Sequence, residues 1–121
     1  MTTDRELLEL AARAIGLTLH ESYDGTIQNR QILCFSHIVM GQPYGEVRWN
    51  PLGFDEQAFR IAIELGLSIR PLEKCVFVES DPETLLAFST ISEIEMYNGD
   101  KFAATRRAIV RAAAEIGRGM K

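Results

Sequence analysis

Apolar residues recur along this chain in two periods, one of three to four residues and one of two, and the switches between them mark helices and strands. Leu7, Leu8, Ala11, Ala12 and Ile15 follow the longer period, and Thr3 with Glu6 has the spacing of a capping box. A helix is therefore predicted from about Asp4 to Ile15. Gly16 can take the left-handed conformation that ends a helix, and a strand, Leu17–His20, is expected directly after it. Asp24-Gly25 is a hairpin signal, followed by one or two strands within Ile27–Met40, the second centred on Ile32–Phe35. Gly41-Gln42-Pro43-Tyr44-Gly45 has the composition of a loop, and Glu46–Trp49 that of a short strand.

A second helix is expected with Asp55 as N-cap, Phe59, Ala62, Ile63 and Leu65 as its apolar positions, and Gly66 as its end. Its exit repeats the first: Ile15-Gly16-Leu17-Thr18-Leu19 resembles Leu65-Gly66-Leu67-Ser68-Ile69, although five residues do not establish a duplication. Lys74–Val78 is a further strand, and Ser80-Asp81-Pro82-Glu83 opens a short helix to about Phe88, with proline where its missing N–H costs nothing. Ile94 and Met96 alternate with Glu93, Glu95 and Tyr97 as in a half-exposed strand. Asn98-Gly99 then turns the chain and Asp100 caps a final helix. Four helical segments with four to six strands between them define an α+β class, layered around one mostly antiparallel sheet.

Composition leaves this picture as one domain over residues 1–121, with 46% apolar and 25% charged residues. There is no apolar run of membrane-spanning length and no secretory leader, so neither membrane nor export is expected. Cys34 and Cys75 sit in apolar contexts that fit buried, reduced thiols and a cytoplasmic location in a bacterial host.

Charge changes the picture more. Lys101–Lys121 holds six Lys or Arg against one acid, whereas Met1–Asp100 holds seven against sixteen. On the last helix Phe102, Ile109, Ala113, Ile116 and Met120 share one face, and Arg107, Arg111 and Arg118 lie opposite as a basic stripe. Arg106, at the edge, is placed to snorkel or to pair with an acid of the sheet. Three readings fit the stripe: a solvated face balancing the helix dipole and the acidic remainder, a face that binds a protein partner, or a nucleic-acid contact. The first is the default for a surface charge run, and the acidic chain and lack of interleaved aromatics weigh against the third.

Other candidate chemistry is sparse. His20, Cys34, His37 and Cys75 contain one Cys-x-x-His pair but no second pair of ligands, so no metal and no cofactor are expected. Trp49-Asn50-Pro51-Leu52 reads as a structural corner in which Trp49 closes the core and Asn50 makes an Asx-type turn, held by Pro51 ahead of Asp55. No nucleophile elbow, phosphate loop or zinc-protease motif is present, and the chain is expected not to be an enzyme.

Over Trp49-Asn50-Pro51-Leu52, Asp55, Ala58, Arg60, Leu65–Ile69 and Ala103–Ala114, with Glu6–Ala12 in support, the chain resembles small phage and prophage proteins that carry a "phage ABA sandwich" domain, akin to NinX-type phage proteins. The resemblance leaves Thr18–Glu46 unmatched. It implies a three-layer α/β/α sandwich and a phage or prophage origin, and it transfers no catalytic residue. The expected role is that of an accessory protein binding a host or phage protein, such as a component of a host defence. The alternative is nucleic-acid binding through Arg107, Arg111 and Arg118, and a homo-oligomer is compatible with either.

Overall fold

The computed structural model describes residues 3–24, 30–39, 42–80 and 92–120. The order of elements is α1 (Asp4–Ala14), β1 (His20–Asp24), β2 (Arg30–Val39), β3 (Gln42–Arg48), α2 (Asp55–Leu65), β4 (Ser68–Pro71), β5 (Cys75–Glu79), β6 (Ser92–Met96) and α3 (Lys101–Gly119). The class is α+β with antiparallel strands, as expected. Where one sheet was anticipated, the described strands pair as two, ordered β1-β2-β3 and β4-β5-β6. The short helix expected over Ser80–Phe88 lies outside the described residues.

Local chemistry accounts for the helix ends. The Thr3 hydroxyl accepts from the Glu6 N–H at 3.2 Å, and an Asp100 carboxylate oxygen accepts from the Ala103 N–H at 3.0 Å. Asn98 and Gly99 both carry positive φ, the tight turn that brings Asp100 into its capping position. At α2 the N-cap is Phe54, not Asp55, and no side chain caps it. Asp55 opens the helix and spends its carboxylate on Arg106 instead.

The repeated corner extends well beyond five residues. Gly16 and Gly66 are both left-handed, and the Leu17 and Leu67 N–H groups each reach back 2.9 Å to the carbonyls of Ala12 and Ala62. Three antiparallel strands follow each corner. Each third strand ends in a buried aromatic residue, Trp49 or Tyr97, whose N–H donates to the carbonyl of Leu33 or Lys74. An asparagine and a new helix come next. The chain is thus two αβββ units followed by α3.

Helix α3 is the centre of the packing and touches α1, α2, β5 and β6. Ala104, Ala108, Ile109, Val110, Ala112, Ala113, Ala114, Ile116 and Gly117 are buried, so its apolar surface is far wider than one stripe. Phe102 and Met120, expected inside, are exposed. Small side chains let helices approach closely: at Gly117 an added Cβ would fall 2.0 Å from the Leu10 carbonyl oxygen of α1. The two helices run in the same direction, since Asp4 meets Arg107 and Arg13 meets the Met120 carbonyl.

Several strand boundaries moved. β1 begins only at His20, β2 is one strand, and β3 takes in Gln42–Gly45, which composition had marked as loop. In α2 the buried residues are Gln57, Ala58, Ile61, Ala62 and Leu65, while Phe59 and Ile63 are 64% and 66% exposed. The helix is rotated by roughly one residue, or about 100°, from the expected face. Ala62 and Leu65 are common to both readings, so periodicity alone did not separate them.

Candidate functional site

The basic stripe is built against an acidic one. In the second sheet, Val76 and Val78 of β5 pair with Glu95 and Glu93 of β6, so these four residues share the face that α3 covers. The strand is inverted from its expected sense: Glu93 and Glu95 are only 17% and 16% exposed, whereas Ile94 and Met96 stand 57% and 54% exposed on the other face. The acids point inward because the arginines are there. Arg111 donates to a Glu95 carboxylate oxygen and reaches Glu93 at 3.3 Å, while Arg107 lies 3.3 Å from Asp4 and 3.9 Å from Glu95. Arg118 lies 3.6 Å from Glu115, one turn back on its own helix. Arg106 pairs with Asp55 of α2 at 2.6 Å and donates to the Leu52 carbonyl, instead of meeting a sheet acid.

Electrostatics follow from that crowding. Burial pushes the Glu93 carboxyl above its usual range, with Glu115 and Glu95 adding to the rise and Arg111 opposing it. The hydrogen bond to Glu95 raises Arg111 further, against the cost of its own partial burial, and both neighbouring carboxylates help. The cluster is a set of exchanged charges between helix and sheet.

The corner at Trp49 is deeply set. Trp49 is buried, donates its indole N–H to the Leu8 carbonyl at 2.8 Å and meets Phe35 edge-to-face at 5.9 Å. The Asn50 carbonyl, not its side chain, closes the turn by accepting from the Gly53 and Phe54 N–H groups. Pro51 is fully buried beside it. Sequence reading missed Gln57, whose amide donates to the Arg48 carbonyl and accepts from the Asn50 N–H, both at 2.6 Å. That side chain ties the end of β3 to the first turn of α2. Its only sequence signal was a polar residue at a position one turn inside a helix, flanked by Ala58 and Ile61.

The proposed zinc ligands come together only in part. His20 and Cys34 are register partners on β1 and β2, but Cys75 is half-buried on β5 in the other sheet. The His37 side chain lies outside what is described. Among the described residues no three His, Cys, Asp or Glu side chains converge as metal ligands would, and both thiols are free. Cys34 is buried as expected, Cys75 less so. A cavity of about 510 Å³ opens between α1 and the start of β1, lined by Arg5, Glu9, Arg13, Leu17, His20 and Glu21. Arg5 is held there by Glu9 and Glu21, and Arg13 by the Met120 carbonyl.

Two surfaces remain apolar and open. The uncovered face of the second sheet presents Phe77, Ile94 and Met96, with Arg70 stacked 5.7 Å from the Phe77 ring. Phe59 and Ile63 form a pair one turn apart on α2. No helix among the described residues is long and apolar enough to cross a membrane. The fold and these surfaces define an α+β protein of two αβββ units. Comparison of the chain with family models, with curated proteins and with solved structures finds no match.

Proposed function

We propose that this chain is a non-enzymatic protein-binding module, an accessory protein of a phage or prophage that works in the host cytoplasm by binding a host or phage protein. The phage assignment rests on the sequence resemblance. The binding assignment rests on one observation, the apolar outer face of the second sheet, where Ile94 and Met96 are more exposed than the acids between them. A strand that puts isoleucine and methionine in water and glutamates inside loses burial on one side, and a partner surface restores it. Arg107, Arg111 and Arg118 support the same choice from the other direction. Each is engaged by a carboxylate of this chain, so a phosphate backbone would have to displace those partners.

The test is capture from host lysate by three forms of the protein, with and without nuclease. Wild type and Arg118→Glu are expected to retain one discrete protein after nuclease treatment, and Ile94→Ser with Met96→Ser to lose it. Capture abolished by nuclease or by Arg118→Glu, but indifferent to the sheet substitutions, would overturn this reading in favour of nucleic acid.

A further inference from the structure

The first sheet is staggered in a way that leaves part of its central strand without a neighbour. β1 pairs only with the first half of β2, from Asp24↔Arg30 to His20↔Cys34, and β3 pairs on the other side with the second half, from Cys34↔Arg48 to Val39↔Gln42. Beside Phe35–Val39, on the side of β1, no described strand lies. Beyond Cys34 the sheet is therefore two strands wide, and a two-stranded ribbon is marginal in water by itself.

Backbone direction shows what that edge offers. The Trp49 N–H donates to the Leu33 carbonyl, so the polar groups of Leu33 face β3. Alternation turns those of Cys34 and Ser36 the other way. Between Ser36↔Glu46 and Ile38↔Pro43 the extra residue belongs to β3, where Tyr44 and Gly45 oppose His37 alone, so alternation along β2 is unbroken and Ile38 also faces the open side. The N–H and C=O groups of Ser36 and Ile38 thus form a row with room for one more strand.

Every other strand side that lacks a partner carries a feature that discourages pairing. β1 has Glu21 and Asp24, and β2 opposite them starts with Arg30. β3 has Pro43, its bulge, Glu46 and Arg48, β4 has Arg70 and Pro71, and β6 has Glu93 and Glu95. Phe35-Ser36-His37-Ile38-Val39 has no proline, no acid, no Lys or Arg, and three strong strand formers. It is the uncharged stretch among charged ones.

We propose that Phe35–Val39 is a self-association edge, pairing antiparallel with the same segment of a second copy and joining two three-stranded sheets into one of six strands. An antiparallel pair has a local two-fold axis, so an identical strand satisfies the hydrogen-bond pattern without adjustment. Pairing about a centre near His37 sets no like charges opposite one another. The same pairing through β6 would place Glu93 against Glu95 of the partner. A second copy also thickens the ribbon, since each β2 then lies between two strands.

The experiment is sedimentation of the full chain from low to high micromolar concentration, beside Ser36→Pro, which removes an N–H on the open side while sparing the ladder to β3. Wild type is expected to dimerise. One hydrogen bond is worth about tenfold, and symmetry counts it twice, so the variant should dissociate roughly a hundredfold more readily with an unchanged circular dichroism spectrum. If the proline variant does not fold, disulfide trapping decides: Ser36→Cys, His37→Cys and Ile38→Cys, each in a Cys75→Ser background, should cross-link with a clear maximum at the residue nearest the axis. A monomeric wild type would overturn the proposal, whatever other strand the edge accepts. So would a dimer indifferent to Ser36→Pro, or one with no register-dependent cross-link.

Discussion

Gly117 sets the distance between α1 and α3, and replacing it with alanine measures how much that closeness contributes. An ideal Cβ there stands 2.0 Å from the Leu10 carbonyl oxygen, 2.9 Å from its carbon and 3.4 Å from the Ala14 nitrogen. All three are backbone atoms, which no rotamer change can move aside. The helices must separate by more than an ångström, loosening Ala11, Ala12 and the buried alanines of α3. Overpacking of this kind costs about 1–3 kcal/mol, sometimes more, whereas alanine gains about 1 kcal/mol over glycine in a helix. With rigid backbone on the other side we take the upper end, a net loss of about 2 kcal/mol. For a domain of this size that lowers Tm by roughly 8 °C. Gly119→Ala is the control, because a Cβ at Gly119 meets nothing within 4 Å, and it should melt at or slightly above wild type. The assay is thermal unfolding followed by far-ultraviolet circular dichroism. If Gly117→Ala melts with or above Gly119→Ala, the close approach of α1 and α3 is not as described.

Three further outcomes are expected. Trp49→Ala should cost about 3–5 kcal/mol in urea unfolding and Trp49→Phe considerably less, since the latter loses chiefly the bond to the Leu8 carbonyl. Arg111→Ala leaves Glu93 and Glu95 side by side beneath α3 and should destabilise by roughly 1–2 kcal/mol, discounted for the exposure of the guanidinium; Glu93→Gln added to it should recover part of the loss. Glu93 also sets a pH trend. Its carboxyl is raised in the folded protein from about 4.5, mainly by burial, so folding binds a proton more tightly than the open chain does. Its contribution is unfavourable at neutral pH and relaxes as pH falls through the raised value toward 4.5. Stability curves of wild type and Glu93→Gln should converge over that window, and parallel curves would remove Glu93 as the source.

The helix ends were legible because their causes are local. Thr3, Gly16, Gly66, Asn98-Gly99 and Asp100 act within a turn of where they stand, and each does what its residue type dictates. Trp49 as a core residue was legible for a similar reason, since a lone large aromatic at a strand end has few other uses. The faces of α2 and β6 were not. In both, apolar side chains that would ordinarily turn inward are displaced by a partner elsewhere in the sequence: Arg107 and Arg111 draw Glu93 and Glu95 under α3, and Gln57 is held inside α2 by the backbone of Arg48 and Asn50. A period of two is blind to which of its alternating sets is buried, so a charge across the core decides. The staggering of β1 and β3 along β2 was equally hidden, since Gln42–Gly45 has the composition of a loop and pairs only because β2 is long enough to reach it.

The charge asymmetry of the chain has its account in the same arrangement. Each αβββ unit brings one helix and one sheet, and α3 is the element shared between them. An apolar helix could fill that place, yet it would tolerate any rotation about its axis. Arg106 on Asp55 fixes α3 to the second unit's helix, Arg107 on Asp4 fixes it to the first, and Arg111 on Glu93 and Glu95 fixes it to the second sheet. Half-exposed ion pairs add little stability each, but pairs directed to three separate elements admit one orientation. The basic helix on an acidic chain is then a register device, and the surfaces left for partners are the ones without such pairs: the apolar face of β5 and β6, and the uncharged edge of β2.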